Sequence, residues 1–185
     1  MKNLKTLIVV SSILLLSGCG TYYDPFDPYT LGLRFYDRGQ VDRAAQEWKP
    51  LVEKADPDAQ FRYGWLLWTN ALGSNREPEA IDLFRKAAEQ GQPKALVILA
   101  DLYYQSPNNV LWQIKTPPFQ KDIDQALVFY LKAARMAHYK GERDMVAAVL
   151  PKIRSEIPAE KVKAAQLEAQ GWKPVIVGRD PRSLL

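Results

Sequence analysis

Apolar residues recur along residues 74–103 at intervals of three and four, the spacing that places side chains on one face of an α-helix. The first set comprises Ala80, Phe84, Ala87 and Ala88, and the second comprises Ala95, Leu99, Leu102 and Tyr103. Gly91 lies between the sets, where glycine is typical of a helix end, and Pro93 suits the first turn of the next helix. Two helices joined by a tight turn are therefore predicted.

The first of these helices has a candidate start signal. Ser74 and Glu77 have the spacing of a capping box, in which a serine at the N-cap and a glutamate three residues later satisfy each other's backbone N–H groups. We therefore expect the helix to begin near Ser74.

The same hairpin pattern appears on both sides of this unit. Thirty-six residues earlier it is carried by Ala44, Trp48, Ala59, Tyr63 and Leu67, and 46 residues later by Ala126, Tyr130, Ala133, Ala134 and Gly141. Asp56 with Pro57, and Asp122 with Gln125 three residues on, predict further helix starts. Paired helices that recur at 30–50 residues are typical of an α-solenoid.

The residues of the middle unit suggest a family. The run Lys86-Ala87-Ala88-Glu89-Gln90-Gly91, with Ala80 and Phe84 before it and Ala95 and Leu99 after it, resembles the Sel-one-like repeat. This repeat is related to the tetratricopeptide repeat. The resemblance covers roughly residues 41–149 and implies helical hairpins that act in protein adaptors or assembly factors.

The resemblance and the periodicity together predict an all-α fold. We expect a short right-handed α-solenoid of two to three helix-turn-helix repeats, with capping helices over residues 29–38 and 159–170 and with Gly171 just beyond the second. A long insertion over residues 105–121 interrupts the repeats. The expected boundaries are a signal peptide (1–18), a lipidated tether (19–28), a repeat domain (29–170) and an extended C-terminal tail (171–185).

The N-terminal 19 residues carry a targeting pattern. Lys2 and Lys5 precede an apolar run over residues 7–16, which is too short for the roughly 20 residues that a membrane-spanning helix needs. The run ends in Leu16-Ser17-Gly18-Cys19, which resembles the lipobox of bacterial lipoproteins. This resemblance implies a covalent lipid on Cys19, cleavage before it, and, because Gly20 follows instead of aspartate, the outer membrane of a Gram-negative envelope. The alternative is a stray cysteine in an ordinary signal peptide.

Composition restricts the possible partners. The formal net charge of +4 falls to +2 when residues 1–18, with their two lysines, are removed, which is too little for a nucleic-acid-binding surface. Hydrophobic residues make up 47% of the chain, enough for a folded core. Cys19 is the only cysteine, so no intramolecular disulfide can form.

No catalytic or metal-binding motif is visible, and we expect neither enzyme activity nor a cofactor nor a metal. A zinc site would need several His or Cys side chains, and the chain has one of each. His138 is interpreted as a structural or surface residue. Asp122 and Asp124 form a possible carboxylate pair, but at a helix start they favour the helix dipole, so a structural role is preferred.

The tryptophans and other apolar residues outside the repeat pattern are the remaining candidates. Trp48, Phe84 and Tyr130 share one repeat position and are predicted to be core. Of Trp65 and Trp68 only one can be buried. Trp112, in the insertion, either contacts a partner or covers a hydrophobic edge of the domain, and the sequence leaves this open.

Two segments are candidates for partner binding because the repeats offer them no core. They comprise Val110, Leu111 and Trp112 in the insertion, and Trp172, Val175, Ile176, Arg179 and Arg182 in the tail. The sequence predicts a lipoprotein scaffold or assembly factor for an envelope machine of secretion, pilus, flagellar or polysaccharide-export type, with envelope proteins as partners. The alternatives are a cell-wall-metabolism enzyme or regulator, and a glycan-binding lipoprotein.

Overall fold

The computed structural model describes residues 26–105 and 119–178. Within these ranges the chain forms α-helices and has no β-strands, as the sequence predicts. The helices are α1 (Pro28–Asp37), α2 (Val41–Glu53), α3 (Pro57–Trp68), α4 (Glu77–Glu89), α5 (Pro93–Tyr104), α6 (Ile123–Met136), α7 (Lys140–Ser155) and α8 (Ala159–Gly171).

The helices stack as consecutive hairpins. The pairs α2–α3, α4–α5 and α6–α7 are the three predicted repeats, and α3 packs on α4 and α5 on α6 to join neighbouring repeats. At the front α1 packs on α2, and at the other end α8 packs on α6. The predicted α-solenoid with a helix at each end is confirmed.

One aromatic side chain per repeat fills the interior of the stack. Trp48, Phe84 and Tyr130 are each at most 1% exposed, as their shared repeat position predicts. Trp68 is also buried, whereas Trp65 is only half-buried, so the prediction that one of the two is core holds. The repeat pattern therefore identifies the central positions of the core.

Short-range sequence signals set the helix ends at three of the predicted positions. The Asp56 carboxylate accepts a hydrogen bond from Ala59 N (2.9 Å), and Asp122 accepts one from Gln125 N (2.9 Å). Gly91 adopts the left-handed conformation (φ +87°), and the turn that it forms leads directly into α5. These signals fix where α3, α6 and α5 start.

Two predicted helix ends are wrong. The helix α4 begins at Glu77 with Arg76 as its N-cap, because Asn75 turns the chain through a left-handed conformation (φ +63°). The Arg76 guanidinium bonds the Glu79 carboxylate (2.8 and 2.9 Å) at this start, so Ser74 and Glu77 form no capping box. At the other end Gly171 is the last residue of α8, where no left-handed turn is needed because the chain continues extended from Trp172.

Candidate partner-binding surfaces

The chain beyond α8 lies along the repeats. We call residues 172–178 the C-terminal strap. It starts beside α6, where Arg135 Nη1 donates to the Trp172 carbonyl (3.0 Å), and passes the end of α4, where Val175 N donates to Glu89 O (2.9 Å). It reaches the α2–α3 turn at Gly178, directly against Ala55. The strap therefore crosses the end of each hairpin, from the third repeat to the first.

Gln90 holds the middle of the strap. Its side-chain oxygen accepts hydrogen bonds from Val177 N (3.1 Å) and Gly178 N (2.8 Å). Its side-chain nitrogen donates to Ala55 O (2.8 Å) and to Gln60 Oε1 (3.1 Å). Both donors and both acceptor positions of the amide are used, which is the full capacity of a glutamine. At 3% exposed, Gln90 joins the strap to the first two repeats inside the protein.

Trp172 lies at the edge of a cavity between α4, α5 and α6. The cavity has a volume of about 300 Å³ and an apolar floor that includes Leu96, Leu99 and Phe129. Lys132 Nζ is 5.6 Å from the centre of the Trp172 ring and forms an ion pair with Glu168 of α8 (3.0 Å). Trp172 therefore contacts the repeats themselves.

The other partner-binding candidates from the sequence fall into two groups. Val175 and Ile176 of the strap are exposed (64% and 40%) and are not brought into the cavity beside Trp172. Five candidates lie outside the described residues, namely Val110, Leu111, Trp112, Arg179 and Arg182. Cys19 also lies outside them.

A second surface, which the sequence did not predict, lies between α1, α3, α5 and α7. We call it the odd-helix groove. It consists of two cavities of about 220 and 210 Å³ that share one wall, made by Phe61, Arg62 and Lys94. Side chains of α1 and α7 line the larger cavity together, so the groove spans the stack from its first helix to its seventh.

Apolar side chains line much of both cavities. Tyr29, Leu33 and Tyr139 line the larger cavity. Trp65, Val97, Ile98 and Met145 line the smaller one. Tyr139 and Met145 are exposed (56% and 50%), so the groove presents apolar surface to solvent.

The carboxylates of this groove are bound to groups of the protein itself. Asp58 accepts a hydrogen bond from Gln92 Nε2 (3.3 Å), and Glu142 accepts hydrogen bonds from His138 N (3.1 Å) and Tyr139 N (3.4 Å). Asp101 accepts the hydroxyl of Tyr130. Burial raises the pKa of Tyr130, and the Asp101 charge adds to this, so the phenol keeps its proton and continues to donate.

The cations of the groove have no such partners. Arg62 and Lys94 form no ion pair with any residue in the described ranges 26–105 and 119–178, and the nearest aromatic contact of Arg62 is the Phe61 ring at 6.0 Å. Lys94 also stands in the first turn of α5, where the helix dipole disfavours a positive charge. This position is the sequence signal that could have indicated the groove.

The structure also places the remaining candidate residues from the sequence. Asp122 caps α6, and Asp124 forms an ion pair with Lys161 of α8 (2.5 Å), so the two carboxylates do not act as a pair. His138 is half-buried in the wall of the odd-helix groove, and its Nε2 is buried without a hydrogen-bond partner among the described residues.

The described residues contain neither a metal-binding cluster nor a membrane-spanning helix. No group of three or more His, Cys, Asp or Glu side chains within residues 26–105 and 119–178 is placed to hold a metal ion. In the same part of the chain, none of the helices combines the length and hydrophobicity that crossing a membrane requires.

Comparison with solved structures identifies the fold. The crystal structure of a protective antigen present in uropathogenic Escherichia coli strains, displaying an SLR (Sel-one-like repeat) fold, matches with a TM-score of 0.62 and 21% sequence identity. The match covers 80% of this chain and 29% of the antigen chain, so this chain spans less than a third of the antigen's length. No protein-family model and no curated protein matches the sequence.

At this identity the likeness shows the fold alone. The chain is an α-solenoid similar to Sel-one-like repeat proteins, as the run at residues 86–91 predicts. Stacked repeats of this class form extended concave binding surfaces.

Proposed function

We propose that this Sel-one-like repeat chain is an outer-membrane-anchored lipoprotein that acts as a protein–protein interaction scaffold or assembly factor for a multiprotein envelope machine. The machine is of the secretion, pilus, flagellar or polysaccharide-export type. The anchor is a lipid on Cys19, and the partners are other envelope proteins bound to the repeats on the periplasmic side.

The N-terminal sequence supports the anchor. All four positions of residues 16–19 match the lipobox, and a basic pair and a ten-residue apolar run precede them. Several acyl chains together hold a protein stably at a membrane, at ~0.8 kcal/mol per buried methylene.

The odd-helix groove is the observation that carries the scaffold proposal. It is lined by apolar side chains from four helices, two of its large side chains are exposed, and two cations beside it have no ion-pair partner among the described residues. An exposed apolar surface with polar groups around it is typical of a protein-interaction site.

The anchor is tested with the variant Cys19→Ser. We expect the wild-type protein to incorporate radiolabelled palmitate and to sediment with outer membranes, and the variant to do neither. An unlabelled wild-type protein that is nevertheless processed and soluble would exclude the anchor and the proposed location.

The scaffold is tested with a photo-crosslinking amino acid placed at Met145 in the groove. Leu167 on α8 is a matched control, because it is also a large apolar residue, is 61% exposed and lines no part of the groove. We expect discrete crosslinked envelope proteins at Met145 and none at Leu167. Equal crosslinking at both positions, or none at Met145, contradicts a partner in the groove.

A further inference from the structure

We propose that one end of the helical stack lies on the membrane surface, with the apolar side chains of Phe26 and of the C-terminal strap in contact with lipid. It is the end at which α1, α3, α5 and α7 begin, and we call it the odd-start end. This inference rests on the proposed lipid anchor at Cys19 and adds the orientation of the domain relative to the membrane.

The odd-start end is formed by helix starts and turns that lie side by side. Tyr29 of α1, Asp58 of α3, Lys94 of α5 and Tyr139 at the start of α7 line one cavity, so these four helices begin at the same end. The strap crosses this end as well, because it bonds the α4–α5 turn at Gln90 and lies against the α2–α3 turn.

Exposed large apolar side chains concentrate at this end. Of the seven in the described ranges, five belong to it, namely Phe26, Tyr139, Val175, Ile176 and Val177. The other two, Met145 and Leu167, lie within about one and a half helical turns of it along α7 and α8. Among the described residues, none of this kind lies at the opposite end, where α2, α4, α6 and α8 begin. A one-sided apolar surface of this sort is typical of a contact with a protein or a membrane.

The strap presents its side chains to solvent because its backbone bonds toward the repeats. Val175 N donates to Glu89 O, and Val177 N donates to the side-chain oxygen of Gln90. The Val175 and Val177 side chains remain 64% and 69% exposed. Three consecutive β-branched residues are therefore held at a fixed position on the surface, with their apolar side chains directed away from the domain.

The position of the anchor determines which surface meets the membrane. Phe26 is 75% exposed and follows Cys19 by seven residues, which span at most ~25 Å. The helices α2 to α8 have 12 to 16 residues and are therefore ~18–24 Å long. Bringing the opposite end to the lipid would require almost this whole reach, whereas Phe26 already lies at the odd-start end. The anchor therefore favours lipid over a protein as the occupant of this apolar surface.

Charge does not drive the contact. The odd-start end comprises residues 26–29, 53–58, 89–94, 135–144 and 172–178. Its basic side chains are Lys54, Lys94, Arg135, Lys140, Arg143 and Lys173, and its acidic side chains are Asp27, Glu53, Asp56, Asp58, Glu89, Glu142 and Asp144. The two signs nearly balance, and attraction to anionic lipids requires a cluster of basic residues. The contact is therefore made by apolar side chains and does not depend on anionic lipid.

The experiment uses the full-length lipidated protein, held in phosphatidylcholine vesicles by its own anchor. Cys19 is the only cysteine and carries the lipid, so one added cysteine gives a single labelling position. An environment-sensitive fluorophore is attached to Ile176→Cys in the strap or to Ser74→Cys, which is exposed at the opposite end. We expect a blue shift of the emission and quenching by brominated acyl chains at position 176, and neither effect at position 74.

A second measurement leaves the strap unlabelled. The anisotropy decay of the probe at Ser74→Cys reports how freely the domain rotates on the vesicle. Val175→Ser with Val177→Ser removes exposed apolar side chains and keeps the backbone bonds, and it should release the restrained rotation. Lys54→Gln with Lys173→Gln, the matched control at the same end, should leave the rotation restrained, and so should the addition of phosphatidylglycerol to the vesicles.

The inference is overturned if the probe at position 176 stays in water while the protein floats with the vesicles, or if positions 176 and 74 respond equally. It is also overturned if lipid contact requires phosphatidylglycerol, or if a photo-crosslinker at position 176 captures an envelope protein while the vesicle probe stays in water. In each of these cases the floating protein leaves the anchor intact. A protein that does not float lacks the anchor, and then the proposed location fails together with this inference.

Discussion

Gly32 shows at the scale of single residues how the first helix joins the stack. The indole of Trp48 occupies the position that a Cβ of Gly32 would take, with Trp48 Cδ1 2.7 Å from it. The same indole donates its N–H to Tyr29 O (3.2 Å), so α1 contacts the ring at both Gly32 and Tyr29. A glycine is needed here because of this close approach.

We expect Gly32→Ala to destabilise the protein by ~1–3 kcal/mol, because Trp48 is fully buried and cannot move aside. Gly141→Ala is the matched control, since a Cβ there meets no atom within 4 Å. The control should stabilise α7 by ~0.4–1 kcal/mol through the unfolded state. Thermal unfolding followed by circular dichroism measures both, and changes of the same sign would contradict the packing of Trp48 on α1.

Tyr104 provides a prediction for alkaline pH. Burial raises its pKa to about 12, and the Glu156 carboxylate, which accepts its hydroxyl at 2.7 Å, acts in the same direction. The unfolded chain releases this proton near pH 10. Between about pH 10 and 12 the folded state therefore binds more protons than the unfolded state, and its stability falls as the pH rises.

We expect Tyr104→Phe to reduce the loss of stability between pH 10 and 12, because phenylalanine has no proton to release. Tyr139→Phe, which changes an exposed tyrosine, serves as the control. Urea unfolding at several pH values gives the slopes. Identical slopes in wild type and Tyr104→Phe would show that folding does not shift the pKa of the Tyr104 hydroxyl.

At the scale of helices and turns, the sequence predicts those features that depend on residues close together in the chain. Periodicity locates the hairpins, and the caps at Asp56 and Asp122 are visible because a cap and its helix lie within three residues. The start of α4 is mispredicted because the left-handed turn at Asn75 competes with the capping box at Ser74.

The strap and the groove could not be predicted in the same way. The bond from Gly178 N to Gln90 Oε1 joins positions 88 residues apart, and no local pattern encodes that register. Arg62 and Lys94 come together only because α3 and α5 line the same cavities. Only the position of Lys94 in a first turn hints at the site from sequence.

The strap gives a prediction at this scale. A Cβ on Gly178 would clash with the Ala55 carbonyl and lie 2.8 Å from Asp56 N, and these are backbone atoms that cannot rotate away. We expect Gly178→Ala to lift the strap and to speed hydrogen exchange at Val175 and Val177. Gly171→Ala, where a Cβ meets nothing, should leave exchange unchanged. Equal exchange in the two variants would contradict the strap contact.

At the scale of the whole molecule, the strap changes a property of solenoids. In an open stack each repeat contacts only its neighbours, so stability is approximately a sum of local terms. Here Gly178 lies against the α2–α3 turn and Gln90 bonds both the strap and Ala55. The last segment of the described chain is therefore joined directly to the first repeat.

Truncation after Gly171 tests this joining. We expect the helical circular dichroism signal to be retained, because α8 ends at Gly171, while the thermal transition broadens and the amides near Ala55 exchange faster. A chain that ends at Gly178 is the control and should behave as wild type. A truncated protein that melts as sharply as wild type would show that the strap does not couple the repeats.

The position of the strap in the chain also determines when its contacts can form during synthesis. A protein synthesised from its N-terminus can fold its hairpins one after another, since each hairpin packs on the one before it. Residues 172–178 are synthesised after the eight described helices, and their binding positions at Glu89, Gln90 and Ala55 are by then already formed. A chain cut short after α8 would keep the described helices and lose the strap, so the contacts that join the third repeat to the first form only once residues 172–178 have been made.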